Sequence, residues 1–254
     1  MNFDVAAESY DAFMGRYSQL LSPLMADYAG VAEGDAKRVL DVGCGPGALT
    51  AELVARVGAD YVAAVDPAEQ FVLANLTRNP GVDVRVASAE ALPFADGTFD
   101  ATLAQLVVHF MSDPVAGITE MARVTRPGGV VAACVWDYAG DSAPLSVFWR
   151  AAHELDTNIV DESHLAGARE GHLAELFRAA GLREVEQGAL SGSRTHSTFD
   201  EWWQPYTRSV GPAGVYLTGL DPASRDQLRE KCLSMLGEGP IELSFSAWVA
   251  RGLA

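Results

Sequence analysis

The sequence predicts a doubly wound α/β fold, Rossmann-like, with a mostly parallel seven-stranded sheet and helices on both faces. Three observations carry this. Short apolar segments alternate with helical ones from residue 38 onward. The first apolar segment runs into a glycine-rich loop and then a helix. The last two strand-like segments break the alternation, which predicts an antiparallel last strand at the sheet edge.

The first strand is Arg38–Val42, followed by a helix over Ala48–Val57 that ends at Gly58. Tyr61–Val65 is a second strand closed by Asp66-Pro67, and Ala68–Arg78 a helix stopped by Asn79-Pro80-Gly81. Val82–Val86 and Ala101–Val107 supply strands three and four, and Pro114–Val124 a helix. Arg126-Pro127-Gly128-Gly129 reads as a turn before a fifth strand, Val130–Trp136. The strands are apolar on both faces, as a sheet covered on both sides requires. Beyond Asp137, helices are expected over Leu145–Leu155 and Glu170–Ala180, and strands over Arg183–Leu190 and Ile241–Val249. Between those strands an aromatic, helical stretch, 198–238, reads as an insertion capping the active site. The whole chain, 1–254, is read as one domain: a helical cover over 1–37, a ligand-binding core over 38–137, and this insertion. In the cover, Tyr10, Phe13, Tyr17, Leu20 and Leu21 recur at helical spacing, and Ser22-Pro23 is expected to break the helix.

Composition narrows the function. Apolar residues are 49% of the chain, enough for a large core, yet no apolar run approaches the roughly 20 residues of a membrane span. The N-terminus lacks the apolar segment of a signal peptide. Three cysteines, at 44, 134 and 232, do not make a disulfide framework and fit a reducing, cytoplasmic setting. Neither they nor the scattered His153, His164, His172 and His196 have metal-ligand spacing. A net charge of −16 opposes a nucleic-acid partner.

The loop Asp41-Val42-Gly43-Cys44-Gly45-Pro46-Gly47 is where a ligand is expected. Glycines admit close approach, and the helix that follows presents free amides. The pattern also satisfies G-x-G-x-x-A with an acid, Asp66, about twenty residues on, so a dinucleotide is an alternative ligand. Two features favour another. Asp41 places a carboxylate before the glycines, which suits a cationic ligand, and Pro46 removes one amide from the loop.

Val39–Gly47 resembles the first motif of the class I S-adenosylmethionine-dependent methyltransferases, in the small-molecule branch of ubiquinone and menaquinone methyltransferases. Further segments resemble that family in order: Ala64-Val65-Asp66-Pro67, Ala87–Phe94, Asp96–Asp100 and Arg123–Gly129. The resemblance covers about residues 38–137 and implies methyl transfer by in-line displacement to a small molecule, with S-adenosylhomocysteine as product. It also implies a cofactor site of Asp41, Gly43, Cys44, Gly45, Gly47, Asp66, Pro67, Ser88, Ala89, Glu90 and Gln105. The segment Tyr10–Tyr17 resembles the helix that closes over the cofactor in this branch, with Tyr10 against it and Arg16 pairing with the methionyl carboxylate. Ser88 departs from the commoner acid at the adenine side, and Pro67 from the commoner residues after the ribose acid.

No catalytic triad is required, because the leaving group is already activated; a base is needed only for a protonated nucleophile. His109, just past strand four, is the candidate base. Trp149, Phe199, Trp202, Trp203, Tyr206 and Tyr216 are candidate walls for a flat acceptor. Adjacent Trp202 and Trp203 point in different directions on a helix, which leaves one for the pocket or for a partner in a homodimer. Protein or RNA methylation, NAD(P)-dependent oxidoreduction and non-catalytic binding are the rival readings.

Overall fold

The structure is a computed structural model and describes residues 7–254; the first six residues of the expected N-terminal cover lie outside it. A seven-stranded sheet has the order β3-β2-β1-β4-β5-β7-β6. Its strands are β1 (Val39–Val42), β2 (Val62–Asp66), β3 (Asp83–Val86), β4 (Phe99–Gln105), β5 (Thr125–Trp136), β6 (Arg183–His196) and β7 (Ile241–Leu253). The first five are parallel, and β7 runs antiparallel to both β5 and β6.

The helices are α1 (Ala7–Tyr10), α2 (Arg16–Tyr28), α3 (Ala48–Val57), α4 (Glu69–Arg78), α5 (Pro114–Val124), α6 (Ser146–Leu155), α7 (His172–Ala179), α8 (Phe199–Trp203), α9 (Gly211–Gly219) and α10 (Pro222–Leu236). The sheet separates two apolar layers, and β5 shows the alternation that creates them. Ala132, Cys134 and Trp136 face the layer with α2, α3 and the 198–238 segment, while Val131, Ala133 and Val135 face the layer with α5 and α7. From β1 the chain winds outward through β2 to β3, then crosses back to place β4 on the other side of β1. That reversal opens a crevice at the C-terminal ends of β1 and β4.

Several local expectations change. Pro23 does not end the helix: α2 runs through it, because Tyr17, Leu21 and Met25 form a fully buried stripe whose packing outweighs the lost amide. Residues 126–129 are not a free turn. They form a bulge at the start of β5, where Phe99 pairs with Thr125 but Ala101 pairs with Val130. Strands β6 and β7 are longer than expected and pair in one register from Leu190↔Ala247 to His196↔Ile241, so the helical segment departs and returns at one place. Trp202 and Trp203 do not point apart. Both are buried in one cluster, 0% and 5% exposed, because α8 spans only five residues and is enclosed on several sides. Phe148 stacks on Tyr206 with ring centroids 4.7 Å apart, and Tyr206 lies 4.9 Å from Trp202. The aromatic residues of the second half are therefore core. Among the described residues no helix is long and apolar enough to cross a membrane.

Leu53 lies fully buried between α3 and the sheet. Leu53→Ala is expected to cost about 2–5 kcal/mol, read as a lower urea midpoint at constant slope. Leu73→Ala, at a side chain 58% exposed, should change stability by less than about 0.5 kcal/mol.

Candidate functional site

The loop after β1 is tied to the end of β2. The amides of Gly43 and Cys44 both donate to the Val65 carbonyl, at 2.8 and 2.9 Å. The Gly45 amide donates to Asp66 Oδ2 at 2.9 Å, and the Gly47 amide to the Cys44 carbonyl at 3.0 Å. Pro46 has no amide. Every backbone donor from Gly43 to Gly47 is thus engaged within the protein. Gly43 has φ +68°, and a Cβ there would sit 2.4 Å from Val107 Cγ2, so only glycine fits between β1 and the chain leaving β4.

Behind the loop lies a buried polar chain. Thr50 Oγ1 donates to Asp41 Oδ2 at 2.7 Å, Asn75 Nδ2 donates to Thr50 Oγ1 at 2.9 Å, and Asn79 Nδ2 donates to Asn75 Oδ1 at 2.8 Å. Asp41 is 1% exposed, and burial pushes its carboxyl up to about 7 against the Thr50 hydrogen bond. Asp41 therefore braces the loop from behind and does not line the crevice. Gly47 belongs to the same packing, since a Cβ there would meet Asn79 and Asn75.

The crevice has an empty volume of about 670 Å³ and is lined by Tyr10, Gly43, Gly45, Asp66, Pro67, Ala68, Phe71, Leu106, Val107 and Phe110. Among the described residues Asp66 is the one charged side chain of its lining. Its oxygens accept the amides of Gly45 and Ala68, each at 2.9 Å, while burial raises its pKa. A carboxylate offers about four acceptor positions, so two remain for a ligand.

Of the residues expected here, the structure brings Tyr10, Gly43, Gly45, Asp66 and Pro67 to one wall, with Cys44, 6% exposed, packed into the core beneath them. Others go elsewhere. Arg16 is committed to the 198–238 segment: its guanidinium donates to the carbonyls of Phe13, Glu201 and Trp202, at 3.1, 3.0 and 3.3 Å, so it is not available to a carboxylate in the crevice. Gln105 donates to the Ser18 carbonyl and Ser22 Oγ, both at 3.1 Å, and so fastens β4 to α2. Ser88, Ala89 and Glu90 do not line the crevice. Glu90 Oε1 accepts the Ser112 amide at 2.8 Å, Ala89 packs in the core, and the Ser88 carbonyl accepts the Ala91 amide. Tyr17 is buried, its hydroxyl 2.9 Å from His196 Nε2.

A second cavity adjoins the crevice and shares Tyr10, Leu106 and Phe110 with it. Its empty volume, counted with the space at its open mouth, is about 340 Å³. Leu106 has φ +63°, a strained value for a branched side chain, at the wall between the two spaces. The cavity holds His109, 7% exposed, whose Nδ1 is buried without a hydrogen-bond partner. Burial pushes this imidazole down to about 3, so it stays neutral at physiological pH. Val210, Gly211 and Pro212 of the 198–238 segment complete the wall.

Glu162 and Tyr138 also line this cavity and were not anticipated. Tyr138 stands two residues beyond β5, at the C-terminal end of the sheet, where ligands to this kind of sheet gather; that position was a usable signal. Glu162 carried none. It lies in a polar stretch, Asp161-Glu162-Ser163-His164, and is buried only because Trp149, thirteen residues earlier, reaches it.

Residues 40–133 match the family model described as a methyltransferase domain. The chain is 34% identical over 129 residues to the malonyl-[acyl-carrier protein] O-methyltransferase of Erwinia billingiae, covering 51% of this chain and 49% of that one. It is 38% identical over 167 residues to the ubiquinone biosynthesis O-methyltransferase of Rhizobium johnstonii, covering 61% and 63%. The chain thus spans about half to three-fifths of the length of these relatives. In fold it is similar to the Bacillus YcgJ protein, with a TM-score of 0.56, 20% identity, and coverage of 94% of this chain and 98% of that one. It is likewise similar to geranyl diphosphate C-methyltransferase of Streptomyces coelicolor, solved with S-adenosyl-L-homocysteine, with a TM-score of 0.56, 14% identity, and coverage of 94% and 80%. The demethylmenaquinone methyltransferase of Mycobacterium sp. (strain KMS) is 34% identical over 178 residues, 64% of this chain and 74% of its own length, and the chain belongs with it to the class I S-adenosylmethionine-dependent methyltransferases.

Proposed function

We propose that the protein transfers a methyl group from S-adenosylmethionine to a small molecule, with the donor in the glycine crevice and the acceptor in the adjoining cavity. The observation that carries this is the engagement of every amide from Gly43 to Gly47 inside the protein. A pyrophosphate needs free amides or a cation, and among the described residues neither Lys nor Arg lines the crevice. Its one charged side chain, Asp66, instead suits hydroxyl groups and a positively charged ligand. S-adenosylmethionine supplies a ribose diol and a methyl group already activated on cationic sulfur.

In this reading Asp66 takes the ribose hydroxyls, Gly43 and Gly45 allow the donor against the backbone, and Tyr10 and Pro67 close the wall. Asp41, Cys44 and Gly47 act from behind by holding the loop. His109 faces the acceptor as a neutral hydrogen-bonding group, and burial makes it too weak a base to carry the proton. The 198–238 segment closes the acceptor side. The shared wall at Leu106 and Phe110 gives the methyl group a short path between the two spaces and excludes water there. The overall charge of −16 supports a small acceptor over a nucleic acid. The three buried, unpaired cysteines fit a cytoplasmic setting.

Titration calorimetry with S-adenosylhomocysteine and with NAD tests the donor assignment. Binding of the first alone is expected; binding of NAD alone would sink the reading. Asp66→Ala should weaken S-adenosylhomocysteine binding by about 1.5–3 kcal/mol, the usual worth of a charge-assisted hydrogen bond, and an unchanged affinity would remove Asp66 from the site.

A further inference from the structure

Among the described residues, no cation faces the carboxyl group buried in the acceptor cavity. Glu162 is 2% exposed. Its Oε2 accepts the Trp149 indole N–H at 2.9 Å, and Tyr138 lines the same cavity. Among the described residues no Lys or Arg pairs with it, and none lines the cavity. A buried carboxylate without a cation is costly, and one neutral donor offsets only part of that cost.

The walls around it are aromatic. Tyr10, Phe13, Phe110, Trp136 and Tyr138 line the same space. Aromatic faces attract cations and do so most strongly when water is excluded. The unpartnered His109 Nδ1 adds a buried imidazole nitrogen that accepts a hydrogen bond in the Nε2–H tautomer. An aromatic box with one buried carboxylate, one free imidazole nitrogen and no basic side chain is complementary to an ammonium group. It is poorly suited to a carboxylate or phosphate, which would meet Glu162 with no cation to offset the repulsion.

Resting on the assignment of the methyl donor to the glycine crevice, we propose that the acceptor is a small apolar amine, held as an ammonium between Glu162 and the aromatic walls and methylated on nitrogen. Burial pushes the empty Glu162 carboxyl up to about 7, so it ionises readily when a cation arrives. The same carboxylate is the proton acceptor. The ammonium gives it one proton, and the freed nitrogen lone pair forms the bond to the methyl carbon. The methyl–sulfur bond breaks and its electron pair leaves with sulfur, so the positive charge passes to the methylated nitrogen while the sulfonium charge is lost. The protein's net charge of −16 draws a cationic acceptor toward the molecule.

Calorimetry on the full chain loaded with S-adenosylhomocysteine distinguishes the acceptor classes, using phenethylamine, 2-phenylethanol and phenylacetate as probes. The amine is expected to bind roughly thirty-fold or more tightly than the alcohol, and the acid not at all. Glu162→Gln keeps an oxygen for the Trp149 indole and should preserve S-adenosylhomocysteine affinity and alcohol binding while erasing the preference for the amine. Equal binding of amine and alcohol, no binding of the amine, or a preference that survives in the variant would overturn the proposal. Failure of the wild-type chain to bind S-adenosylhomocysteine would overturn the donor assignment itself, so the two failures are told apart.

Discussion

The site hangs on one carbonyl. Val65 is the next-to-last residue of β2, and its oxygen takes the amides of both Gly43 and Cys44. This pair of bonds continues the β1–β2 ladder past the end of the strand and bends the chain sharply across the top of β2. The neighbouring Asp66 takes the next free amide, at Gly45. One strand end thus fixes the path of the loop, and the residue that would meet the ligand is also the one that shapes the loop. Because Val65 is fully buried, the carbonyl competes with no water, and the loop begins from a rigid anchor.

The same constraint sets the chemistry of the crevice. A loop whose amides from Gly43 to Gly47 are engaged within the protein offers phosphate fewer donors than its dinucleotide-like glycine pattern suggests. The glycine spacing therefore says that something approaches the backbone, whereas the hydrogen bonding of the amides says what it can be. Asp41 contributes from the far side, through Thr50 and Asn75, by holding the start of α3 against β1. Its charge precedes the glycines in sequence, but its side chain is directed away from the open face.

The core from β1 to β5 was legible because each element there is local. Apolar strands are bounded by Gly, Pro and Asp, the helix at Pro114–Val124 starts on a proline capped by Asp113, and each crossover follows its strand directly. Gly43, Gly45, Asp66 and Pro67 stand at the ends of β1 and β2 and line the crevice for the same reason, whereas Tyr10 reaches it from before β1 and was expected there only by resemblance. The misplaced residues depend on distant chain. Arg16 was drawn away by carbonyls about 185 residues later and Gln105 by a helix before β1; Glu162, which no expectation covered, is held by a tryptophan on another element. The aromatic residues of the second half showed that something packs there, but not whether ligand or protein does. Only the long β6–β7 pairing, which composition does not reveal, turns them inward onto one another.

That pairing has a structural consequence. The chain leaves the sheet after His196 and rejoins it at Ile241, directly opposite. Everything between is a closed detour whose entry and exit are already joined by strand bonds. The detour is nonetheless bound into the core, since Arg16 donates to its Glu201 and Trp202 carbonyls and Phe148 stacks on its Tyr206. In this chain the detour reaches over to supply Val210, Gly211 and Pro212 to the acceptor wall. The detour thus adds one stretch of wall to a cavity whose other lining residues stand on α1 and just after it, at and after the ends of β4 and β5, and at Glu162.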